Sequence, residues 1–152
     1  MILSIHILAG AAIGLKLHNW WLVFLLSILA HYLMDTIPHR EYDITSLKRK
    51  LSKKSIPDLA QIAIDFLVGI ILAFWFTWSS APFITVAAGI VGSVLPDLLT
   101  FIYWQTKTPL LRKITNFHRN TIHPKNNKNT PLIWGLGTQV IAAVIILSII
   151  IG

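Results

Sequence analysis

Long apolar stretches dominate this sequence and limit what it can fold into. The hydrocarbon core of a bilayer is about 30 Å thick, and an α-helix needs roughly 20 apolar residues to cross it. Four stretches reach about that length, residues 20–38, 57–79, 82–104 and 131–151, and a shorter one covers residues 2–16. Only 12% of the 152 residues are charged, against roughly 25% in soluble domains. We therefore predict a single membrane-embedded domain over residues 1–152, an all-α bundle of about five helices.

Segment 2–16 is too short to cross a bilayer without local thinning, since a helix rises about 1.5 Å per residue. It either thins the membrane locally, packs inside the bundle or re-enters the membrane. A signal peptide is the competing interpretation, but the segment lacks the basic residues that precede the apolar core of such peptides. We expect a retained, functional segment.

Basic residues are concentrated in two polar loops. Residues 40–55 hold six Lys and Arg side chains, residues 105–130 hold six more, and Lys16 is the remaining one. An even number of spans separates the loops, so the positive-inside rule predicts that both loops and the N-terminus are cytoplasmic. The second loop contains a stretch after Pro109 that predicts a short interfacial helix, followed by a polar turn at residues 125–129. We expect anionic headgroups near these loops and no nucleic-acid partner.

Ionisable residues lie at or near the cytoplasmic ends of the predicted spans. His31 and Asp35 are four residues apart and share a helical face. Asp97 follows Pro96 near the end of the fourth span, below a face of small residues, Gly89, Gly92 and Ser93, that would allow another helix to approach closely. Because ionisable groups at membrane depth are costly, they indicate a functional site. The candidate metal ligands are His6, His31, Asp35, His39, Asp65, Asp97, His118 and His123.

The chemistry of this set favours a divalent transition metal. The chain has no cysteine, and imidazole with carboxylate suits Zn²⁺, with Mn²⁺ or Fe²⁺ as alternatives. Eight candidates are more than one tetrahedral ion needs, so the set permits one or two ions, which can activate water for hydrolysis. We expect Asp65 to act as a further ligand or general base and Arg119 to pair with a substrate phosphate.

Short motifs resemble known metalloproteins. The string from His31 to His39 resembles the His-Tyr-x-x-Asp…Pro-x-His signature of zinc-dependent phospholipase C and related nucleases, although His39 here follows Pro38 directly. The whole chain resembles small prokaryotic inner-membrane proteins described as membrane-bound metal-dependent hydrolases. The matching elements are His6 with Ala9-Gly10, Pro96-Asp97, and His118-Arg119 with His123. This resemblance implies a helical hydrolase of the prokaryotic cytoplasmic membrane, with metal ligands at the motif positions.

The residues and the resemblance together predict a metal-dependent hydrolase that acts on a phosphoester or lipid-type ester, with membrane lipid as partner and possible substrate. Two alternatives stay open. A metal-ion transporter would also carry His and Asp in its helices, but its polar groups should continue towards the outer face. A structural membrane protein would use the same side chains as a buried hydrogen-bond network.

Overall fold

The structure, a computed structural model, describes residues 1–123 and 130–152, and these residues form α-helices and short helical turns without any strand. Six α-helices follow one another in this part of the chain: α1 Leu3–Lys16, α2 Trp20–Asp35, α3 Ile56–Thr77, α4 Phe83–Thr106, α5 Pro109–Asn116 and α6 Leu132–Ile151. The all-α prediction is confirmed. A short helix is also found where the interfacial one was expected. The polar turn predicted at residues 125–129 lies outside the described residues.

Three helices, α3, α4 and α6, are long and apolar enough to cross a membrane, whereas α1 and α2 are apolar but shorter. Helix α2 ends at Asp35, three residues before the end of the predicted stretch at residues 20–38. The cause is Pro38, whose ring disfavours helical backbone at the preceding residue. The Thr36 hydroxyl also donates to the Leu33 carbonyl oxygen at 2.6 Å and caps the last turn. With 16 residues, α2 is about 24 Å long.

The short helix α1 lies at the centre of the bundle and packs against α2, α3, α4 and α6. Most of its side chains are buried, so it packs inside the bundle, as one of the three alternatives proposed. It crosses α4 at Gly10 and Gly89. A methyl group on Gly10 would lie 2.2 Å from the Gly89 carbonyl oxygen, and one on Gly89 would lie 2.0 Å from the Gly10 carbonyl oxygen. Such close backbone approach requires glycine, and the prediction of close packing along the small-residue face of α4 is confirmed.

The segment that follows α2 is tied to the beginning of α6. The Arg40 amide donates to the Gly135 carbonyl oxygen at 3.4 Å, and the Thr138 hydroxyl donates to the Pro38 carbonyl oxygen at 2.9 Å. The buried Gln139 side chain donates to the Arg40 carbonyl oxygen at 3.1 Å. These bonds fix the backbone on both sides of His39.

Candidate metal centre

Five imidazoles surround the buried carboxylate of Asp35 at one end of the bundle. Asp35 Oδ1 lies 3.1 Å from His6 Nε2 and 3.8 Å from His39 Nε2. Asp35 Oδ2 is 3.1–3.2 Å from the Nε2 atoms of three further histidines, His31, His118 and His123. All six side chains are at least 92% buried. The two oxygens of one carboxylate therefore face two different sets of imidazoles.

The donor atoms form two groups that share Asp35. The first consists of His31, Asp35, Asp97 and His118, and the second of Asp35, His39 and His123. Within each group, one ligand atom from every residue lies within 4.8 Å of the others. Each group could hold a metal ion, because ligands can close on an ion from such spacing by small side-chain adjustments. The Asp35 carboxylate could contribute a ligand atom to either group.

Three of these histidines have their Nδ1 atoms bonded to the surrounding protein. His31 Nδ1 is 2.7 Å from the Ser93 carbonyl oxygen, and His39 Nδ1 is 2.7 Å from the Ile37 carbonyl oxygen. His118 Nδ1 is 3.2 Å from the Thr100 hydroxyl, which donates its own proton to the Pro96 carbonyl oxygen. A neutral imidazole has a single N–H. Donation from Nδ1 therefore leaves each Nε2 with a free lone pair, the arrangement that orients metal-binding histidines.

These Nε2 atoms lie close to one another. His118 Nε2 is 3.3 Å from His31 Nε2 and 3.1 Å from His123 Nε2. The lone pairs of His31 Nε2 and His118 Nε2 repel each other at 3.3 Å unless a proton or a cation lies between them. The donor set is therefore suited to binding positive charge. The amino group of Met1, 2.5 Å from Asp35 Oδ1 and 2.6 Å from His39 Nε2, also lies at this site.

Glu41 is a site residue that the sequence did not predict. His123 Nδ1 lies 2.7 Å from Glu41 Oε1, an ion-pair distance without the alignment of a hydrogen bond. Glu41 Oε2 accepts from Arg119 at 3.3 Å. Burial alone would raise the pKa of Glu41, but His123, His39 and Arg119 hold it well below its usual range. Burial alone would lower the pKa of His123, but the carboxylates of Asp35 and Glu41 raise it to about 9.

The other candidate residues, Asp97, His6 and Asp65, differ in how close they lie to the two groups of ligand atoms. Asp97 Oδ1 is 4.0 Å from His31 Nε2 and 3.9 Å from His118 Nε2, and its side chain is 42% exposed. His6 contacts Asp35 but is in neither group. Asp65 is also in neither group. It accepts from the Ser4 amide at 3.1 Å and from the Tyr42 hydroxyl, so its contacts connect α1, α3 and the first loop.

A cavity of about 570 Å³ adjoins the centre. Its polar end is formed by Asp35, Asp97, Glu41, His123 and Arg119, with Trp104 beside the Arg119 guanidinium. The rest of its wall is mainly apolar and comes from α3, α4 and the first loop. The Asp97 carboxylate and the Arg119 guanidinium are therefore accessible to a molecule that enters this space.

Comparison with protein-family models, curated proteins and solved structures finds no match for this chain. The arguments about its function therefore come from the sequence and from the geometry of the centre.

Proposed function

We propose that this protein is a membrane-embedded metal-dependent hydrolase that cleaves a phosphoester or a lipid-type ester at the cytoplasmic boundary of a prokaryotic membrane. The observation that carries the proposal is the buried Asp35 carboxylate, which belongs to both groups of possible ligand atoms. Sites with two ions about 3.5–4 Å apart are typical of phosphoester hydrolysis. Zn²⁺ is the ion that the donor set suits best.

The proposed topology follows from the charge distribution. The two basic loops, residues 40–55 and 105–130, lie on the cytoplasmic side with the N-terminus, by the positive-inside rule. Asp35 ends α2 and Asp97 precedes the end of α4 by nine residues, so both would lie near the cytoplasmic headgroups. A hydrolytic centre at this depth has access to water and to lipid headgroups together.

The polar end of the cavity supplies the groups that a phosphoester needs. Bound metal ions lower the pKa of coordinated water towards about 7 and so provide a nucleophile at neutral pH. In the hydrolysis, the water oxygen bonds to phosphorus, the ester P–O bond breaks, and a proton passes to the leaving oxygen. Asp97 lines the cavity and is the candidate to accept the proton of that water. Arg119 would pair with the phosphate oxygens, since a guanidinium matches them in a bidentate manner.

The position of the ionisable groups favours a hydrolase over a transporter. Beyond Asp65, the remainder of α3 has no ionisable side chain, and α6 has none over its whole length. In α4 the first ionisable residue after Phe83 is Asp97. A path for ions across the membrane would need polar groups along these helices, whereas the candidate ligands gather at one end.

Hydrolysis by metal-reloaded protein tests the proposal. Detergent-purified protein is stripped with a chelator, reloaded separately with Zn²⁺, Mn²⁺ or Fe²⁺, and assayed for phosphate release from phosphatidic acid and for cleavage of chromogenic phosphate and carboxylate esters. We expect metal-dependent turnover that falls about 100-fold or more in His118→Gln, since this residue contributes to the first group of ligands.

The matched control is His18→Gln, because His18 is exposed and lies between α1 and α2, away from the centre. Its activity should stay within about twofold of the wild type. Folded protein without activity in any metal form would contradict the proposal, and so would wild-type activity in folded His118→Gln.

A further inference from the structure

The apolar part of the cavity extends beyond the residues of the proposed hydrolytic centre. Helices α3 and α4 follow each other in the chain, but α3 packs mainly on α1, and α4 packs mainly on α1 and α2. The cavity lies between their facing sides. Two of its wall residues on α4, Val91 and Leu98, are 57% and 47% exposed. The cavity is therefore open laterally, between α3 and α4, to the surroundings of the bundle.

We infer that this cavity is a groove for one acyl chain of a lipid phosphoester, with the phosphate at Arg119; this inference rests on the proposed function and names its substrate class. The wall on α4 runs from Ile90 to Trp104, about 21 Å at 1.5 Å per residue. One leaflet contributes about 15 Å to the hydrocarbon core. The groove is therefore long enough for an acyl chain that spans one leaflet.

Charge and polarity along the groove agree with such a lipid. Apolar side chains of α3 (Leu59, Ile62 and Phe66) and of α4 form its walls, while the Arg119 guanidinium lies at its polar end beside the candidate metal ligands. Moving an acyl chain from the bilayer into an apolar groove yields little free energy, because lipid tails are as apolar as leucine side chains. Selection among lipids therefore depends on the phosphate, through Arg119 and the metal centre.

Photo-crosslinking tests the groove without requiring catalysis. Wild-type protein in chelator is placed in phosphatidylcholine nanodiscs that contain a small fraction of phosphatidic acid with a diazirine in one acyl chain, and crosslinked peptides are mapped by mass spectrometry. We expect crosslinks to concentrate on the facing sides of α3 and α4. Diazirine-labelled phosphatidylcholine in the same discs should label the outer faces of α3 and α6 instead. An even distribution of both lipids over the apolar surface would overturn the inference, whatever any variant does.

A matched pair of variants on α3 sharpens the test. Ala63 lines the cavity, whereas Ala60, one turn earlier, is exposed and does not line it. Ala63→Trp should reduce phosphatidic acid crosslinking in the groove by about fivefold or more, and Ala60→Trp should change it less than about twofold. Equal crosslinking in the two folded variants would overturn the inference. Arg119→Gln should remove most of the preference for phosphatidic acid over phosphatidylcholine, and an unchanged preference would count against the position assigned to the phosphate.

The outcomes separate the inference from the proposed function. Crosslinking confined to the groove, with no hydrolysis in any metal form, supports the lipid groove and contradicts the hydrolase. Hydrolysis of soluble phosphoesters with no groove crosslinking supports the hydrolase and overturns the groove.

Discussion

The shared carboxylate gives the sharpest prediction, which concerns Asp35→Asn. The substitution preserves the size of the side chain but removes its charge and places an amide NH₂ against imidazole lone pairs. Because Asp35 is a member of both ligand groups, the variant should lose both metal ions. Breaking a buried charged pair costs about 3–5 kcal/mol. At a factor of ten for each 1.4 kcal/mol, affinity for each ion should fall about 10²- to 10⁴-fold.

Two further substitutions predict intermediate stoichiometry. Asp97 belongs only to the first group and His39 only to the second. The wild type should therefore carry two ions per chain, Asp97→Asn and His39→Gln one each, and Asp35→Asn none. The assay is elemental analysis of detergent-purified, monodisperse protein whose helical content matches the wild type, with affinity measured by competition against a chromophoric chelator.

The control for Asp35→Asn is Asp58→Asn. Asp58 lies in the first turn of α3 and accepts from the Ser46 hydroxyl at 2.6 Å, so it has no part in either group. This variant should retain two ions. The reasoning is refuted if Asp35→Asn keeps its metal. It is equally refuted if Asp97→Asn and His39→Gln each lose all metal, because the two groups would then be one site.

Three further predictions concern stability. In thermal unfolding, Gly10→Ala should destabilise the fold by more than about 3 kcal/mol, because its methyl group would lie 2.2 Å from a backbone oxygen of α4. Gly137 has open space around it, so Gly137→Ala should change the stability by less than about 1 kcal/mol. Tyr42→Phe removes a hydrogen bond to Asp65 and should cost about 1–2 kcal/mol without changing metal content; metal loss would instead support Asp65 as a ligand. The third prediction concerns His123 in the presence of chelator, where its pKa is raised from 6.5 to about 9. The protonated imidazole therefore stabilises the fold fully below about pH 6.5, and this stabilisation is lost as the pH rises through 9. The melting temperature should fall over that interval, and the fall should be smaller in His123→Asn.

Much of the centre could be predicted because helical periodicity fixes relative direction. His31 and Asp35 are one turn apart on α2, and their side chains meet as the spacing requires, at 3.2 Å. The predicted ends of α3 and α6 are correct within about three residues, because prolines mark where these helices begin. The small residues on one face of α4 likewise predicted the close approach of another helix, because small side chains let helix backbones come close together.

The rest depended on tertiary contacts that no local pattern encodes. Glu41 lies between two helices in an irregular segment whose position is set by hydrogen bonds to α6, so its approach to His123 has no periodic signal. The one indication in the sequence that Glu41 belongs to the site was its position two residues after His39. The central position of α1 was one of three alternatives, because a short apolar helix can thin the membrane locally, pack inside a bundle or re-enter the membrane. The hydrogen bonds that Asp65 accepts from Ser4 and Tyr42 likewise depend on how α3 packs against α1 and the first loop, which no local pattern gives.

The glycine crossing between α1 and α4 has a consequence for the spacing of the donors. His6 is four residues before Gly10 on α1, and Asp97 is eight residues after Gly89 on α4, so both lie on the same side of the crossing. A larger side chain at the crossing would therefore change the angle between the two helices and the distance between their ends. A small change in side-chain volume far from the centre would alter which ionic radius fits it. Packing at the crossing therefore influences the spacing of the candidate ligands from a position that contacts none of them.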